Sequence, residues 1–316
     1  MLQIVPKILV TGASGFVGKS LTAELFRQGY AISAATRSIK SQINNAEVVV
    51  VGEINGNTDW TEALQSIDVV IHLAARVHVM KDNFANPLAE FRKVNVEGTK
   101  KLAESAANAG VKRFVYVSSI GVNGFKTTLP FTESVNPNPH SDYALSKWEA
   151  EQVLLRVSAE TGLEVVIIRP PLVYGFDAPG NFAQMIKVLA KGIPLPLAAV
   201  RNLRSLVYVE NLVDALILSS THPNAAGKTY LVSDGEDVTT AQLLRQLGEA
   251  MGRPARLFSC TPSLLRLAGR LIGKSEQLDK LLGSLQVDSS KIRQELGWVP
   301  PVSFAEGIKK TVEGLV

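Results

Sequence analysis

The sequence is poor in the residues that build covalent or metal-bound frameworks. It holds a single cysteine, Cys260, and four histidines. One thiol excludes an internal disulfide and argues against a cysteine-based metal cluster, so no residue is assigned to a metal. Aromatic residues make up 6% of the chain, and no run of arginine and lysine is interleaved with them, which argues against a nucleic-acid partner. No stretch approaches the roughly 18 apolar residues of a spanning helix. The opening residues, MLQIVPKILVTGAS, lack the charged start, long apolar centre and small-residue cleavage site of a signal peptide. Together these absences lead us to expect a reducing, cytoplasmic compartment.

What is present is ordinary globular material. The chain has 316 residues, 46% hydrophobic and 20% charged, with a formal charge of +4. That length suits one large domain or two smaller ones. The basic excess fits a solvated surface, and equally a cleft that gathers an anionic substrate or cofactor.

Short apolar runs alternate with helical patterns through the first half. KILVTG (7–12), AISAAT (31–36), EVVVVGE (47–53), DVVIHLAA (68–75), RFVYVSS (113–119) and LEVVIIRP (163–170) read as buried strands. Helices are expected at 18–29, 95–110 and 143–162, each closed by a glycine. This alternation predicts an α/β class chain with a doubly wound parallel sheet covered on both faces, the Rossmann architecture. Beyond about residue 175, proline and glycine become frequent (DAPGNF, KGIPLPL), and helices are expected at 182–191, 209–221, 239–251, 261–273 and 303–315. We therefore expect a dinucleotide-binding domain over 1–175. A smaller α/β substrate domain over 176–316 is expected to be built on the first and free to interleave with it.

TGASGFVG (11–18) lies between the first strand and the first helix. Gly12 permits the tight turn, Gly15 lets the backbone approach a pyrophosphate, and Gly18 lets the helix pack close to the strand. The helix then presents free N–H groups and a partial positive charge to the phosphates. A glycine triplet alone is weak; the order strand, triplet, helix is what gives it meaning.

Tyr143 and Lys147 stand four apart on one expected helix and share a face. A free phenol, with pKa about 10, is a poor base near neutrality, and a neighbouring ammonium is expected to lower that value. Ser118 and Ser119 end the fifth strand, at the edge where the active-site loops of such sheets gather. Taken singly, a packed tyrosine, a surface lysine and a turn-capping serine explain each position. Taken together behind a phosphate cradle, they point to proton and hydride chemistry.

With these motifs in hand, the chain resembles the extended short-chain dehydrogenase/reductase family, also called the NAD-dependent epimerase/dehydratase family, in its nucleotide-sugar branch. The resemblance rests on TGASGFVG, HLAA (72–75), NVEGT (95–99), SSIGVNG (118–124), YALSK (143–147), RPPLVYG (169–175), RSLVYVENLVDA (204–215) and LGWVPPVSFAEGI (296–308). It implies that Gly12, Gly15 and Gly18, with the Phe16 and Val17 backbone, hold the pyrophosphate. It places Glu53 and Ile54 by the adenine, and Leu73, Ala74 and Ala75 along the cofactor channel. It puts Asn95 beneath the active site and among the cofactor-binding residues, with Ser118 beside the cofactor, and it sets Pro170 and Val173 beside the nicotinamide. Ser119, Tyr143 and Lys147 become the catalytic hydroxyl, the acid/base and its electrostatic partner, with Tyr143 and Lys147 also touching cofactor. Ser119, Asn123, Asn181 and Arg204 are implied to meet the substrate, the last two at its diphosphate. The second diphosphate arginine of many relatives has no evident counterpart in LLGSLQVDSSK (281–291). The Asp-Glu pair of the related 4,6-dehydratases is replaced by Ile120 and Gly121, which leaves no catalyst for eliminating water.

The ribose end carries its own signal. Thr36 stands where the family often has an aspartate, and Arg37 follows, with Lys40 nearby. Loss of a carboxylate and gain of a guanidinium favour a 2′-phosphate, hence NADP(H) over NAD(H), although relatives with such a turn also accept NAD. A net reductase consumes fresh hydride, whereas a 4-epimerase returns it. Arg37 therefore tilts the expectation toward an NADPH-dependent reductase acting at C4 of a UDP-linked 4-keto-6-deoxy sugar, in the service of surface polysaccharide synthesis. A UDP-hexose 4-epimerase with NAD is the alternative, since HLAARVHVM and GSLQVDSSKI resemble a subgroup often given that label. A dinucleotide-sensing protein without turnover is the third reading, and the intact Tyr143 and Lys147 argue against it.

Two partner surfaces are also suggested. The segment 261–285 is apolar with Arg266, Arg270, Lys274 and Lys280 interspersed, which suits either a pocket cover or contact with an anionic membrane. Relatives commonly form homodimers through two long helices, here 95–109 and 143–161, where Ala103, Ala106, Ala107 and Ala109 permit close approach.

Overall fold

In the computed structural model, which describes residues 5–38, 43–77, 86–271, 273 and 275–314, seven strands form one parallel sheet. They are β1 (Lys7–Thr11), β2 (Ala31–Thr36), β3 (Glu47–Val50), β4 (Val69–His72), β5 (Arg113–Val117), β6 (Glu164–Arg169) and β9 (Thr229–Leu231). Their order is β3-β2-β1-β4-β5-β6-β9. The direction of winding reverses between β1 and β4, so a crevice opens at the carboxyl ends of these two strands. The glycine turn leaves β1 there, and Leu73, Ala74 and Ala75 leave β4 beside it.

The apolar runs are continuous because each strand is buried on both faces. Alternate residues feed two separate cores. Ile8, Val10, Ile71 and Ile168 face helices α1 (Phe16–Arg27) and α6 (Val209–Thr221), packing with Leu21, Leu25, Leu212 and Leu216. Leu9, Val70, Phe114 and Ile167 face the other way, onto Leu102 of α3 (Thr99–Asn108) and Leu154 of α4 (Asp142–Thr161). The helix expected from residue 95 begins earlier: α2 (Pro87–Arg92) runs through a π-helical turn, Lys93–Gly98, into α3. Gly98 is needed in that turn, because a Cβ there would lie 2.6 Å from Ile54 Cγ2.

Past residue 175 the chain does not remain in a second lobe. Strand β7 (Leu172–Tyr174) pairs in parallel with β8 (Leu206–Tyr208), but α6 then returns to the main sheet and β9 extends it beyond β6. The smaller lobe has its own core, with Tyr174, Phe182, Leu206, Leu244, Phe304 and Ile308 at its centre. Around it lie α5 (Asn181–Ala190), α7 (Thr240–Ala250), α8 (Pro262–Leu271), α9 (Ser275–Leu282) and α11 (Phe304–Glu313), whereas α10 (Ser290–Leu296) packs Ile292 and Leu296 into the core of the main sheet. Strand β9 and helix α10 were not expected from the sequence, and both are short. The basic segment 261–285 contains α8 and α9. Leu265 and Leu282 are buried in the lobe core, and Leu264, Leu267 and Leu271 are exposed.

Candidate active site

The phosphate cradle has the expected form. Gly12 adopts φ +70°, and a Cβ there would sit 2.8 Å from the Ala74 amide nitrogen. A Cβ on Gly18 would overlap the Gly12 carbonyl oxygen, so only glycine brings α1 this close to β1. Gly15 caps α1 without a side-chain bond, and its N–H is spent on the Gly12 carbonyl at 2.9 Å. The amides of Phe16, Val17 and Gly18 open the helix and have no intrahelical acceptor, leaving them for an anion. Across the crevice, Ala74 N–H donates to Thr11 Oγ1 at 3.2 Å, which fixes the small residues 73–75 against the turn.

Tyr143 and Lys147 come from the first turns of α4. Ser141 starts that helix by accepting a hydrogen bond from Ala144 N–H at 3.2 Å. Tyr143 is half-buried, with its ring edge-on to Phe91 at 6.2 Å, and Lys147 is only 2% exposed. Among the described residues the Lys147 ammonium has no hydrogen-bond acceptor. Its Nζ lies 4.3 Å from the centre of the Tyr116 ring on β5, and the Glu151 carboxylate is its nearby counter-charge. Burial pushes Lys147 down to about 7, with Glu151 opposing, and burial pushes Tyr143 up to about 12. The expected lowering of the phenol by the lysine is therefore not found: burial, which disfavours the charged form of each group, sets both shifts.

Ser119 is half-buried and extended, and its Oγ accepts from Gly121 N–H at 3.1 Å. A hydroxyl used only as an acceptor keeps its donor available. Ser118 is 3% exposed, and its hydroxyl has no partner among the described residues. Pro170 is buried and accepts from Ile120 N–H at 2.9 Å, which locks the serine turn to the end of β6. Val173 packs between the sheet core and the smaller lobe.

Asn95 sits in the π turn, 1% exposed, and its amide is fully used by the protein. Oδ1 accepts from Arg76 N–H at 2.8 Å, while Nδ2 donates to Arg76 O at 3.0 Å and to Ser146 Oγ at 2.9 Å. It is a positioning residue rather than the cofactor contact assigned from the sequence. Asn123 is likewise turned into the protein and not toward a substrate. It is 2% exposed, accepting from Arg169 Nη1 at 2.9 Å and donating to Thr132 O at 3.2 Å.

At the rims, Thr36 is buried with its hydroxyl on Ser38 O at 3.2 Å, and Arg37 is exposed. Lys40 lies outside the described residues. Glu53 is exposed, with its carbonyl accepting from Thr58 Oγ1 at 2.9 Å, and Ile54 is half-buried against the π turn. Asn181 is the first residue of α5, and its side chain lies outside the described residues. The Arg204 Nη1 donates to Lys280 O at 2.7 Å and Gly283 O at 3.2 Å, so the guanidinium is tied to the end of α9.

Several residues of the site were not singled out from the sequence. Glu151 holds Arg169 through two bonds, Nε to Oε1 at 2.9 Å and Nη2 to Oε2 at 2.5 Å, and both residues are buried. His72 is fully buried between Thr11 Oγ1, 2.6 Å from Nδ1, and Thr99 Oγ1, 3.0 Å from Nε2. Its ring stacks on Tyr116 at 5.7 Å. Glu151 could have been found, because 143, 147 and 151 form one stripe along a helix.

The residues present fit a dinucleotide. Gly12 and Gly18 leave no space for side chains, the opening amides of α1 have no intrahelical acceptor, and the Ser118 hydroxyl is buried without a partner among the described residues. Fold and site together define a dinucleotide-dependent enzyme of the doubly wound α/β class. The NAD dependent epimerase/dehydratase family matches residues 8–233, and the chain belongs to it. The chain is 43% identical over 313 residues to a UDP-glucose 4-epimerase of Vibrio cholerae, covering 98% of this chain and 95% of that one. Two solved structures share the fold over 98% of both chains. A UDP-N-acetylglucosamine 4-epimerase from Bacillus cereus is 22% identical with a TM-score of 0.80. A UDP-glucose 4-epimerase from Thermotoga maritima is 24% identical with a TM-score of 0.78.

Proposed function

We propose that the protein is an NAD-dependent 4-epimerase of UDP-linked hexoses. The observation that carries the chemistry is the buried Lys147 side chain, one helical turn from Tyr143, with its ammonium on the Tyr116 ring and no hydrogen-bond acceptor among the described residues. The extensive identity to the Vibrio cholerae UDP-glucose 4-epimerase supports epimerisation over net reduction. The family's own description supports NAD, and the expected preference for NADPH rests on Arg37 alone.

When bound, oxidised NAD would supply the acceptor and later the donor of the C4 hydride, and its positive charge would favour the Tyr143 phenolate. Tyr143 takes the proton of the C4 hydroxyl. Ser119 donates its free O–H to the same oxygen, positioning it against the phenol. Lys147 offers its three donors to cofactor hydroxyls and holds positive charge at the Tyr143 end of the cleft. On the return half of the cycle Tyr143 gives the proton back to the C4 oxygen. Nothing is consumed, and the enzyme ends the cycle as it began. Arg204 and Asn181 are our candidates for the substrate diphosphate. Ile120 is buried and Gly121 has no side chain, so neither supplies an acid or base for elimination of water.

The test is incubation of the purified protein with UDP-galactose or UDP-N-acetylgalactosamine, without added cofactor, followed by proton NMR. Appearance of the gluco epimer is the expected result. No interconversion, together with NADPH oxidation on a UDP-4-keto-6-deoxy sugar, would establish the reductase instead.

A further inference from the structure

Lys147 is a charged side chain that folding leaves only 2% exposed, and among the described residues its ammonium has no hydrogen-bond acceptor. Such a group is retained only where something else favours its charge. The surroundings name the few groups available. From its own helix come Tyr143 and Glu151, the latter held by Arg169 of β6. From β5 comes the Tyr116 ring, and stacked on that ring, from β4, His72. The Glu151 carboxylate is already engaged by the Arg169 guanidinium at both oxygens, which shares its charge. The ring face of Tyr116 is the remaining attractive surface, with the ammonium 4.3 Å from its centre. A desolvated ammonium over an aromatic face gains the most that such a contact can give.

His72 makes the arrangement work in one direction. Its ring stacks on Tyr116 at 5.7 Å, inclined by 26°. A charged imidazolium there would draw on the same π electrons and repel Lys147. Both ring nitrogens are bound by threonine hydroxyls, and burial with the nearby Lys147 charge holds the imidazole near a pKa of about 3. It therefore stays neutral throughout the working range.

We propose that Tyr116 is a positioning residue that seats the Lys147 ammonium on its ring, with His72 stacked against the same ring. The column Thr11–His72–Tyr116–Lys147 thereby joins the end of β1, where the glycine turn begins, to the helix that carries the acid/base. The role in turnover rests on the epimerase reading; the role in holding the lysine does not.

A series at position 116 separates ring electronics from shape: Tyr116→Phe, then the same phenylalanine with one, two and three ring fluorines. Fluorine drains the ring face at nearly constant volume, so folding is preserved. Two readouts are taken across pH, NAD binding by quenching of intrinsic fluorescence, and epimerisation of UDP-galactose. Tyr116→Phe is expected to keep both profiles. Each added fluorine is expected to move the alkaline limb of NAD binding to lower pH, by about one pH unit over the series, because the ammonium loses its seat. Turnover should follow binding. Tyr116→Leu should fall beyond the trifluorinated variant. A flat response of NAD binding to fluorination, or an equal loss in Tyr116→Phe, would overturn the proposal. Absence of epimerisation in the wild type with NAD binding still graded would instead overturn the epimerase reading and leave this one standing.

Discussion

Asn95 donates to Ser146 at 2.9 Å, and Ser146 in turn donates to the Tyr143 carbonyl at 2.8 Å. A π turn on one helix thus grips the first turn of another, and the same asparagine clamps both backbone groups of Arg76. The reach of one amide across three segments gives a reason for the widened, underwound turn at this point, which carries Asn95.

Asn95→Leu should therefore cost more than one buried residue's packing. It takes the side-chain partner from both the Arg76 N–H and the Arg76 carbonyl, a loss of about 1–3 kcal/mol for each buried group left unpaired. We expect a lowered urea midpoint and a larger fall in kcat than in NAD affinity. Asn95→Asp should do no better, since a carboxylate accepts where two donors are needed. Unchanged stability in Asn95→Leu would show that the clamp does not support the site.

The three glycines of the cradle should fail in different ways. Gly12 combines φ +70° with backbone 2.8 Å from its missing Cβ, and Gly18 has the Gly12 carbonyl inside that space. Gly12→Ala and Gly18→Ala should both lower the melting temperature, Gly18→Ala the more. Gly15 has an ordinary φ of −78°, and its Cβ would come no closer than 3.2 Å to the Gly12 carbonyl. Gly15→Ala should fold nearly normally yet bind NAD more weakly, because the added methyl stands where a pyrophosphate approaches. Calorimetric melting beside an NAD titration distinguishes the three. An equal effect of all three on melting would contradict this ranking.

The contrast also shows what was legible in the sequence. Strands buried on both faces write themselves as apolar runs, so β1, β2, β4, β5 and β6 could be read, as could the glycine turn and the Tyr143–Lys147 stripe. β9 could not, because three residues carry no periodicity and their place is set by pairing with β6, sixty residues earlier. Tyr116 and His72 read as ordinary strand residues; their meaning comes from neighbours on other strands and helices. Asn123 and Asn95 were assigned to ligands by motif position, and only their buried partners show that they serve the protein.

Arg37 is where cofactor choice should be tested. It is exposed at the end of β2, beside a buried Thr36 that offers no carboxylate to a ribose. An epimerase that keeps NAD makes no demand on a 2′-phosphate. Arg37→Ala should then change NAD affinity by less than about threefold, within the range of an exposed charge at the surface. Arg37→Asp should improve NAD slightly and reject NADPH. Tight binding of NADPH by the wild type, lost in Arg37→Ala, would restore the reductase expectation.

Lys147 carries a cost to the fold that its removal should reveal. Burial brings its pKa from 10.5 down to about 7, so between these values the unfolded chain binds a proton that the folded protein releases. Stability must then rise with pH across that window, because the more protonated state loses ground as protons become scarce. The cost is fully present below pH 7 and gone above about 10.5. Lys147→Met, similar in length and uncharged, should be inactive and yet more stable than wild type at pH 7 by a few kcal/mol, with the two converging near pH 10. Urea denaturation at a series of pH values measures the difference. Saturating NAD should shrink it by giving the ammonium hydroxyl acceptors. A Lys147→Met variant no more stable than wild type at pH 7 would mean that the ammonium is not buried at a cost, and the case for its waiting on a cofactor would fail with it.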